Sequence, residues 1–213
     1  MGEEAGVDLY WLPLGAGGHS VRLNGRLFEA VAAAIARRPR RDLYHSGLEV
    51  RVPEGRFVIE QAPVRGGDGA LRGVVAEGPV GARRAGRFRL FRYEVRRWRD
   101  GLIPDVAEAV ESPQRLTDDP EVARRVLEAV ASVPTPVWGR DELGTGEMWN
   151  SNSVISWTLA HGGIDPGSVM LPARGRAPGW DAGIVVARRD GYPNARAIAS
   201  VVSGATIRST PGR

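Results

Sequence analysis

The pattern that most restricts the fold is a strand–turn–strand segment at residues 42–62. The even-numbered residues of its first half are mostly apolar: Tyr44, Leu48, Val50 and Val52. This period of two is typical of a half-buried strand, and it leaves His45, Gly47 and Glu49 on the opposite face. Because residues 53–55 (Pro-Glu-Gly) favour a turn, the sequence predicts an antiparallel hairpin. A two-residue turn at Glu54 and Gly55 would place Glu60 opposite Glu49.

The remaining elements follow from the same kinds of pattern. We predict strands at 7–14, 42–52, 56–62, 70–77, 87–98 and near 182–186. We predict helices at 24–36, from 120 onward and at 150–161. Helices mixed with antiparallel strands indicate an α+β fold in which an antiparallel sheet packs against helices. We expect a single domain over residues 1–203 and a mobile C-terminal tail over 204–213.

Two missing residue types exclude several kinds of chemistry. The 213 residues include no cysteine, which excludes disulfides, thiolate metal sites and a thiol nucleophile. All 29 basic residues are arginine, which excludes a Walker-type phosphate loop and Schiff-base chemistry. Three dispersed histidines offer no recognisable metal-ligand spacing. We therefore expect neither a metal nor another cofactor.

The hydropathy pattern indicates where in the cell the protein is expected. The chain has no apolar run of the roughly 20 residues that a membrane-spanning helix needs. Its first residues, Met-Gly-Glu-Glu-Ala-Gly, are acidic, unlike the basic start of a secretory signal. We expect no membrane span and a cytoplasmic location.

One segment, residues 83–99, is rich in arginine and carries interleaved aromatic residues. Such a composition can serve nucleic-acid binding through phosphate contacts and base stacking. The alternative is a strand whose arginines face water while the apolar residues, Phe88, Leu90, Phe91, Tyr93 and Val95, face inward. The net charge is only +4 and the arginines are scattered, which favours the strand, so no nucleic-acid partner is expected.

Three histidines are the candidates for a general base. His161 ends a predicted helix before two glycines, which is typical of a structural partner of the helix dipole. His19 lies in a glycine-rich loop after the first strand and is a candidate to line a site. His45 lies beside Gly47, which leaves open space above the strand for a substrate; the alternative is a surface histidine on an amphipathic strand.

A second segment that could carry catalytic residues is the predicted helix start at residues 148–157 (Met-Trp-Asn-Ser-Asn-Ser-Val-Ile-Ser-Trp). Ser151 falls in the first turn, where unpaired backbone amides and the positive end of the helix dipole stabilise an oxyanion. The alternative is that Asn150 and Ser151 only cap the helix. Trp149 suits contact with an apolar acyl chain, or else belongs to the core.

These two segments carry a family resemblance. Residues 44–50 (Tyr-His-Ser-Gly-Leu-Glu-Val) and 57–60 (Phe-Val-Ile-Glu) resemble the His-bearing hairpin of circularly permuted papain-like proteins. That superfamily includes lecithin:retinol acyltransferase-like enzymes and NlpC-type peptidases. Residues 150–153 (Asn-Ser-Asn-Ser) are similar to the Asn-Cys-Asn-Ser-like motif that starts a late helix in its permuted members.

The resemblance implies a permuted papain-like arrangement and two-step acyl transfer on an amide, ester or acyl lipid. The expected partner is therefore a small-molecule, lipid or peptide acyl substrate. Ser151 would be the nucleophile, His45 the base and Glu60 the group that orients the imidazole, with Gln61 as its substitute. Asn150 and Asn152 would help the helix amides to hold the oxyanion.

The main departure from the family is Ser151, which stands where the family has a nucleophilic cysteine. A thiol is partly ionised at neutral pH, whereas a hydroxyl must lose its proton to a base during attack. Three hypotheses follow: a natural serine hydrolase or acyltransferase, a catalytically inactive binding protein, or a cysteine hydrolase trapped by a Cys-to-Ser replacement.

Overall fold

The computed structural model describes residues 4–14, 42–64 and 72–192. Three predictions lie outside these residues: the helix at 24–36, the position of His19 and the C-terminal tail. Within the described residues, no helix is long and apolar enough to span a bilayer.

Seven strands and three α-helices make up the regular structure of the described residues. The strands are β1 (Gly6–Pro13), β2 (Asp42–Val52), β3 (Gly55–Pro63), β4 (Val74–Pro79), β5 (Arg92–Arg99), β6 (Gln114–Thr117) and β7 (Gly175–Arg176). The helices are α1 (Pro120–Ala129), α2 (Ser151–Gly162) and α3 (Trp180–Arg189). Short 3₁₀-helical turns connect several of them.

The strands form one sheet in the order β4-β5-β3-β2-β1-β6, with antiparallel pairing between the neighbours. The two-residue strand β7 is the exception, because it pairs with β2 in parallel. The prediction of an α+β fold with an antiparallel sheet packed against helices is confirmed.

The two faces of the sheet have different surroundings. The main core lies on the helix face, where Leu48 and Ile59 of the sheet pack with Ile155 of α2. A smaller apolar cluster, formed by Leu12, Val58 and Ile103, lies on the other face. Because successive side chains of a strand alternate between faces, each strand residue can be assigned to one of these two environments.

Local sequence explains where the helices begin and end. The Asp119 side chain accepts a hydrogen bond from Glu121 N at 2.8 Å, and proline occupies the first helical position of α1. Gly163 ends α2 in the left-handed conformation, with φ of 92°. These boundaries agree with the caps that the sequence predicts.

The predicted strand near 182–186 is wrong, because these residues belong to α3. This helix packs closely on α2, since a Cβ at Gly183 would lie 2.2 Å from Ser153 O. Residues 87–98 are also only partly a strand, which begins at Arg92. Before it, two short 3₁₀ turns leave Phe88, Leu90 and Phe91 exposed instead of buried.

Candidate active site

The first turn of α2 is docked on β2 by the side chain of Asn152. Its Nδ2 donates to Tyr44 O at 3.0 Å, and its Oδ1 accepts from Ser46 Oγ at 2.9 Å. Tyr44 and Ser46 are the two neighbours of His45 in the chain. The hairpin and the helix start, whose bonded residues are 106 and 108 positions apart, therefore meet beside His45.

This docking uses an edge of β2 that β3 leaves open. Leu43 O accepts a hydrogen bond from Leu14 N at 2.7 Å on the β1 side, so the next carbonyl, that of Tyr44, points to the other edge. The pairing of β2 with β3 begins only at Leu48, opposite Ile59. The start of α2 thus fills the space where the two strands separate.

Capping interactions hold the first turn of α2. Asn150 Oδ1 accepts from Asn152 N at 2.9 Å, while Ser153 Oγ accepts from Asn150 N at 3.1 Å. Asn150 and Asn152 also both donate to Pro178 O, at 2.8 and 2.9 Å. The amide side chains predicted to support an oxyanion are therefore engaged in capping and docking.

Ser151 is the first residue of α2 and is 8% exposed. Among the described residues, no hydrogen bond engages its side-chain hydroxyl, unlike those of Ser153 and Ser156, which donate to Gly179 O and Trp180 O at 2.7 Å. Ser151 thus has an uncommitted hydroxyl at the positive end of a 12-residue helix.

His45 points to the face of the sheet opposite the helices. Its pairing partner Leu12 belongs to the smaller cluster, and a Cβ at Gly47, on the same face, would lie 3.8 Å from Ile103 Cδ1. The adjacent Ser46 faces the helix side, where it contacts Asn152. The structure brings the segments of His45 and Ser151 together, but it forms no hydrogen bond between the imidazole and the hydroxyl.

The surroundings of His45 predict an acid-dependent loss of stability. Burial lowers its pKa from 6.5 to about 4, against the opposing effect of the Asp105 charge. The unfolded chain then takes up this proton at higher pH than the folded chain, so stability falls as the pH drops from 6.5 toward 4. We expect His45 to cost about 2 kcal/mol of unfolding free energy at about pH 5.

Urea unfolding over a pH series checks this expectation. His45→Gln cannot take up the proton and should unfold with a weaker acid dependence than the natural chain. An unchanged acid dependence in His45→Gln would contradict the lowered pKa of this histidine.

Glu60 is nearer to His45 than the predicted register allows, but it has another partner. The observed pairing sets Glu49 opposite Val58, instead of opposite Glu60, because the loop consists of Pro53 and Glu54. Glu60 remains on the face of His45, where its carboxylate accepts from Arg96 Nη1 at 2.5 Å. Among the described residues, no hydrogen bond joins Glu60 to the His45 imidazole that it was predicted to orient.

Gln61 lies on the helix face. Successive residues of β3 point to opposite faces of the sheet, so Gln61 is on the same face as Ile59, which belongs to the main core. It is 7% exposed, and neither its Oε1 nor its Nε2 has a hydrogen-bond partner among the described residues. Buried amides of this kind are uncommon, because leaving one unpaired costs about 1–3 kcal/mol. Gln61 is therefore an unsatisfied buried amide on the same face as the start of α2.

An ionic cluster that the sequence pattern did not predict lies on the face of His45. Arg96 is 2% exposed and bonds Glu94 through Nε at 2.6 Å, while Arg72 Nε bonds the same carboxylate at 3.0 Å. Burial raises the pKa of Glu94, but the hydrogen bonds from Arg72 and Arg96 outweigh it and leave that pKa lowered. Opposite charges at Glu60 and Arg96, which pair across β3 and β5, were the available signal.

The other candidate residues have structural surroundings. Trp149 is 2% exposed and belongs to the main core. The His161 ring stacks on Trp157 with 3.9 Å between centroids, and its Nε2 lies 3.5 Å from an Asp190 carboxylate oxygen. Residues 4–14, 42–64 and 72–192 contain no group of three side chains placed to hold a metal ion.

Comparisons with known proteins found no matching family model, no similar curated protein and no similar solved structure. The class of the protein is therefore defined only by an α+β fold with a candidate site where β2 meets α2.

Proposed function

We propose that the junction of β2 and α2 is an acyl-transfer site of the circularly permuted papain-like type, acting as a hydrolase or acyltransferase. The observation that carries the proposal is the pair of hydrogen bonds between Asn152 and the two neighbours of His45: Asn152 donates to Tyr44 O and accepts from Ser46 Oγ. They join the two motifs that the family resemblance requires to meet, across more than a hundred positions of the chain.

In this proposal Ser151 is the nucleophile. Its hydroxyl oxygen attacks the carbonyl carbon of an ester or amide, and the negative charge that forms on the carbonyl oxygen is stabilised by the amides of the first turn of α2. The uncommitted state of the hydroxyl and the docking of the helix start support this role.

His45 is the base. The imidazole accepts the proton that Ser151 releases. The imidazole then returns this proton to the leaving alcohol or amine, and water resolves the acyl-enzyme. The step requires the side chain to turn from Ile103 toward the edge of β2 where α2 docks.

A second candidate function is a catalytically inactive binding protein with the same arrangement. It is favoured by one observation, namely that the described residues form no hydrogen bond between His45 and Ser151. The ion pair of Glu60 with Arg96 agrees with this candidate, because that carboxylate is held by a positive charge instead of the imidazole.

Labelling with a fluorophosphonate probe separates the two candidates. We expect the full chain to be labelled on Ser151, as located by peptide mapping, and Ser151→Ala to take up no label. Loss of the base in His45→Ala should slow labelling at least about a hundredfold. The matched change His161→Ala should leave the labelling rate unaltered, because His161 lies at the other end of α2.

Absence of labelling in the natural chain, or equal labelling of Ser151→Ala, would overturn the acyl-transfer proposal. If Ser151→Cys hydrolyses an activated ester that the natural chain leaves intact, the site is a decayed thiol site and the binding candidate stands.

A further inference from the structure

The connection between β4 and β5 exposes three apolar side chains close together. The exposed fractions are 53% for Phe88, 84% for Leu90 and 44% for Phe91. Two 3₁₀ turns, Arg83–Arg87 and Arg89–Phe91, form this segment, which we name the basic–apolar loop. Clustered apolar exposure of this kind marks interaction surfaces in soluble proteins.

The same loop carries a one-sided charge. Residues 83–91 contain four arginines and no acidic residue, and all four arginines are exposed. Arg83 pairs with Glu142 at 2.8 Å, whereas no ion pair of Arg84 or Arg87 is found within the described residues. The Arg87 guanidinium instead lies 4.7 Å from the centre of the Phe88 ring.

The loop is held in place by backbone hydrogen bonds. Val80 N donates to Phe91 O at 2.8 Å and closes the base of the loop, while Phe91 N donates to Phe88 O at 2.9 Å. A Cβ at Gly86 would lie 2.7 Å from Pro79 Cβ, so the turn packs closely on the end of β4. The apolar side chains therefore project from an ordered base.

We propose that the basic–apolar loop docks on the surface of an anionic phospholipid bilayer. Phe88, Leu90 and Phe91 would enter the boundary between headgroups and acyl chains, while Arg84 and Arg87 would bind lipid phosphates. The charge of the loop is complementary to such a surface, and the arginine stems can extend along the headgroups.

Leu90 distinguishes a bilayer from nucleic acid as the partner. It is the most exposed of the three apolar residues, and a leucine has no aromatic face on which a base can stack. Arg96, which lies in the same arginine-rich stretch, is buried in an ion pair with Glu60 and so does not extend a phosphate-binding surface. An aliphatic tip flanked by arginines fits an acyl-chain boundary.

The loop is also connected to the candidate active site. Gly81 N donates to Trp138 O at 3.1 Å, and Gly139 N donates to Trp149 O at 2.9 Å, two residues before Ser151. Docking would thus place the segment that precedes α2 near the bilayer. The docking itself does not rest on acyl transfer, and it is measured without any turnover.

Co-sedimentation of the full chain with lipid vesicles tests the proposal. We expect binding to vesicles of phosphatidylcholine with phosphatidylglycerol, and little binding to phosphatidylcholine alone. Leu90→Ser should weaken binding about tenfold, because one buried leucine side chain is lost. The matched control is Leu102→Ser, which removes a leucine that is 71% exposed outside the loop and should bind like the natural chain.

The charge contribution is tested with the double variant Arg84→Gln, Arg87→Gln. We expect about thirtyfold weaker binding to the anionic vesicles, from about 1 kcal/mol for each arginine. Arg99→Gln is the control, because the Arg99 side chain is 66% exposed and lies at the far end of β5. All these substitutions are at exposed positions, so folding should be retained.

Two outcomes would overturn the proposal. One is equal vesicle binding by Leu90→Ser and the natural chain. The other is binding to a single-stranded oligonucleotide that the double arginine variant loses and Leu90→Ser keeps, with no binding to anionic vesicles, which would identify a nucleic-acid surface.

Discussion

Arg96→Met is expected to lower the free energy of unfolding by about 3–5 kcal/mol, because it removes one partner from a buried ionic cluster. The side chains of Arg96 and Glu94 are 2% and 1% exposed, and that of Glu60 is 9% exposed. Without the guanidinium, the charge of Glu60 loses its partner at 2.5 Å and Glu94 keeps Arg72 as its partner. Urea unfolding at pH 7 measures the loss.

Two further variants make this prediction specific. Arg99→Met changes an exposed arginine of the same strand and should alter stability by less than about 0.5 kcal/mol. Adding Glu60→Gln to Arg96→Met should recover part of the loss, because Glu60 then carries no charge while Glu94 keeps Arg72 as its partner. A stability equal to that of the natural chain in Arg96→Met would show that the cluster does not balance buried charge.

The pH dependence gives an independent check on the same cluster. Because the pKa of Glu94 is lowered in the folded chain, its contribution is present above its unfolded pKa of 4.5 and is lost as the pH falls through the folded value. In Arg96→Met the buried carboxylates can take up protons, which removes their charge. The difference in stability between the two chains should therefore become smaller as the solution is acidified toward about pH 4.

Gly183→Ala is expected to destabilise the chain by about 3 kcal/mol through overpacking between α2 and α3. The new Cβ would lie 2.1 Å from Ser156 Oγ and 2.2 Å from Ser153 O. To remove these overlaps, α2 and α3 must move apart, which would break the hydrogen bonds from Ser153 and Ser156 to the start of α3. Because Ser153 also belongs to the cap of α2, the position of Ser151 would change as well.

Thermal unfolding measures this effect, with an expected fall in Tm of about 6–12 °C for a chain of this size. Gly47→Ala is the matched control, because its Cβ would meet no atom closer than 3.7 Å. A Tm for Gly183→Ala equal to that of Gly47→Ala would contradict the close helix packing.

Local patterns predicted the elements whose structure depends on neighbours in the sequence. The strand at 42–52 and the helix that follows Asn150 were found within one residue of their observed bounds, because alternation and capping act over a few residues. Residues 182–186 were misassigned as a strand because a short apolar run fits either a strand or a buried helix, and the packing of Gly183 on Ser153 is not visible in a local pattern.

At the candidate site, too, local sequence patterns predicted the segments but not their long-range contacts. The two motifs could be identified from their residues, and the hairpin loop was placed at nearly the right position. A two-residue difference in register nevertheless changed the partner of Glu49 from the predicted Glu60 to Val58. The partner of Glu60 came from β5, which the sequence joins to it only through a long connection.

The order of residues thus determined which segments become strands and helices, where α2 starts and which residue types are available for chemistry. Only the tertiary structure decided that Asn152 docks beside His45, that the imidazole faces Ile103 and that Arg96 holds Glu60. The physical reason is that capping and alternation are contacts within a few residues. Docking, burial and ion pairing instead depend on which distant segments pack together, and no single stretch of sequence encodes that choice.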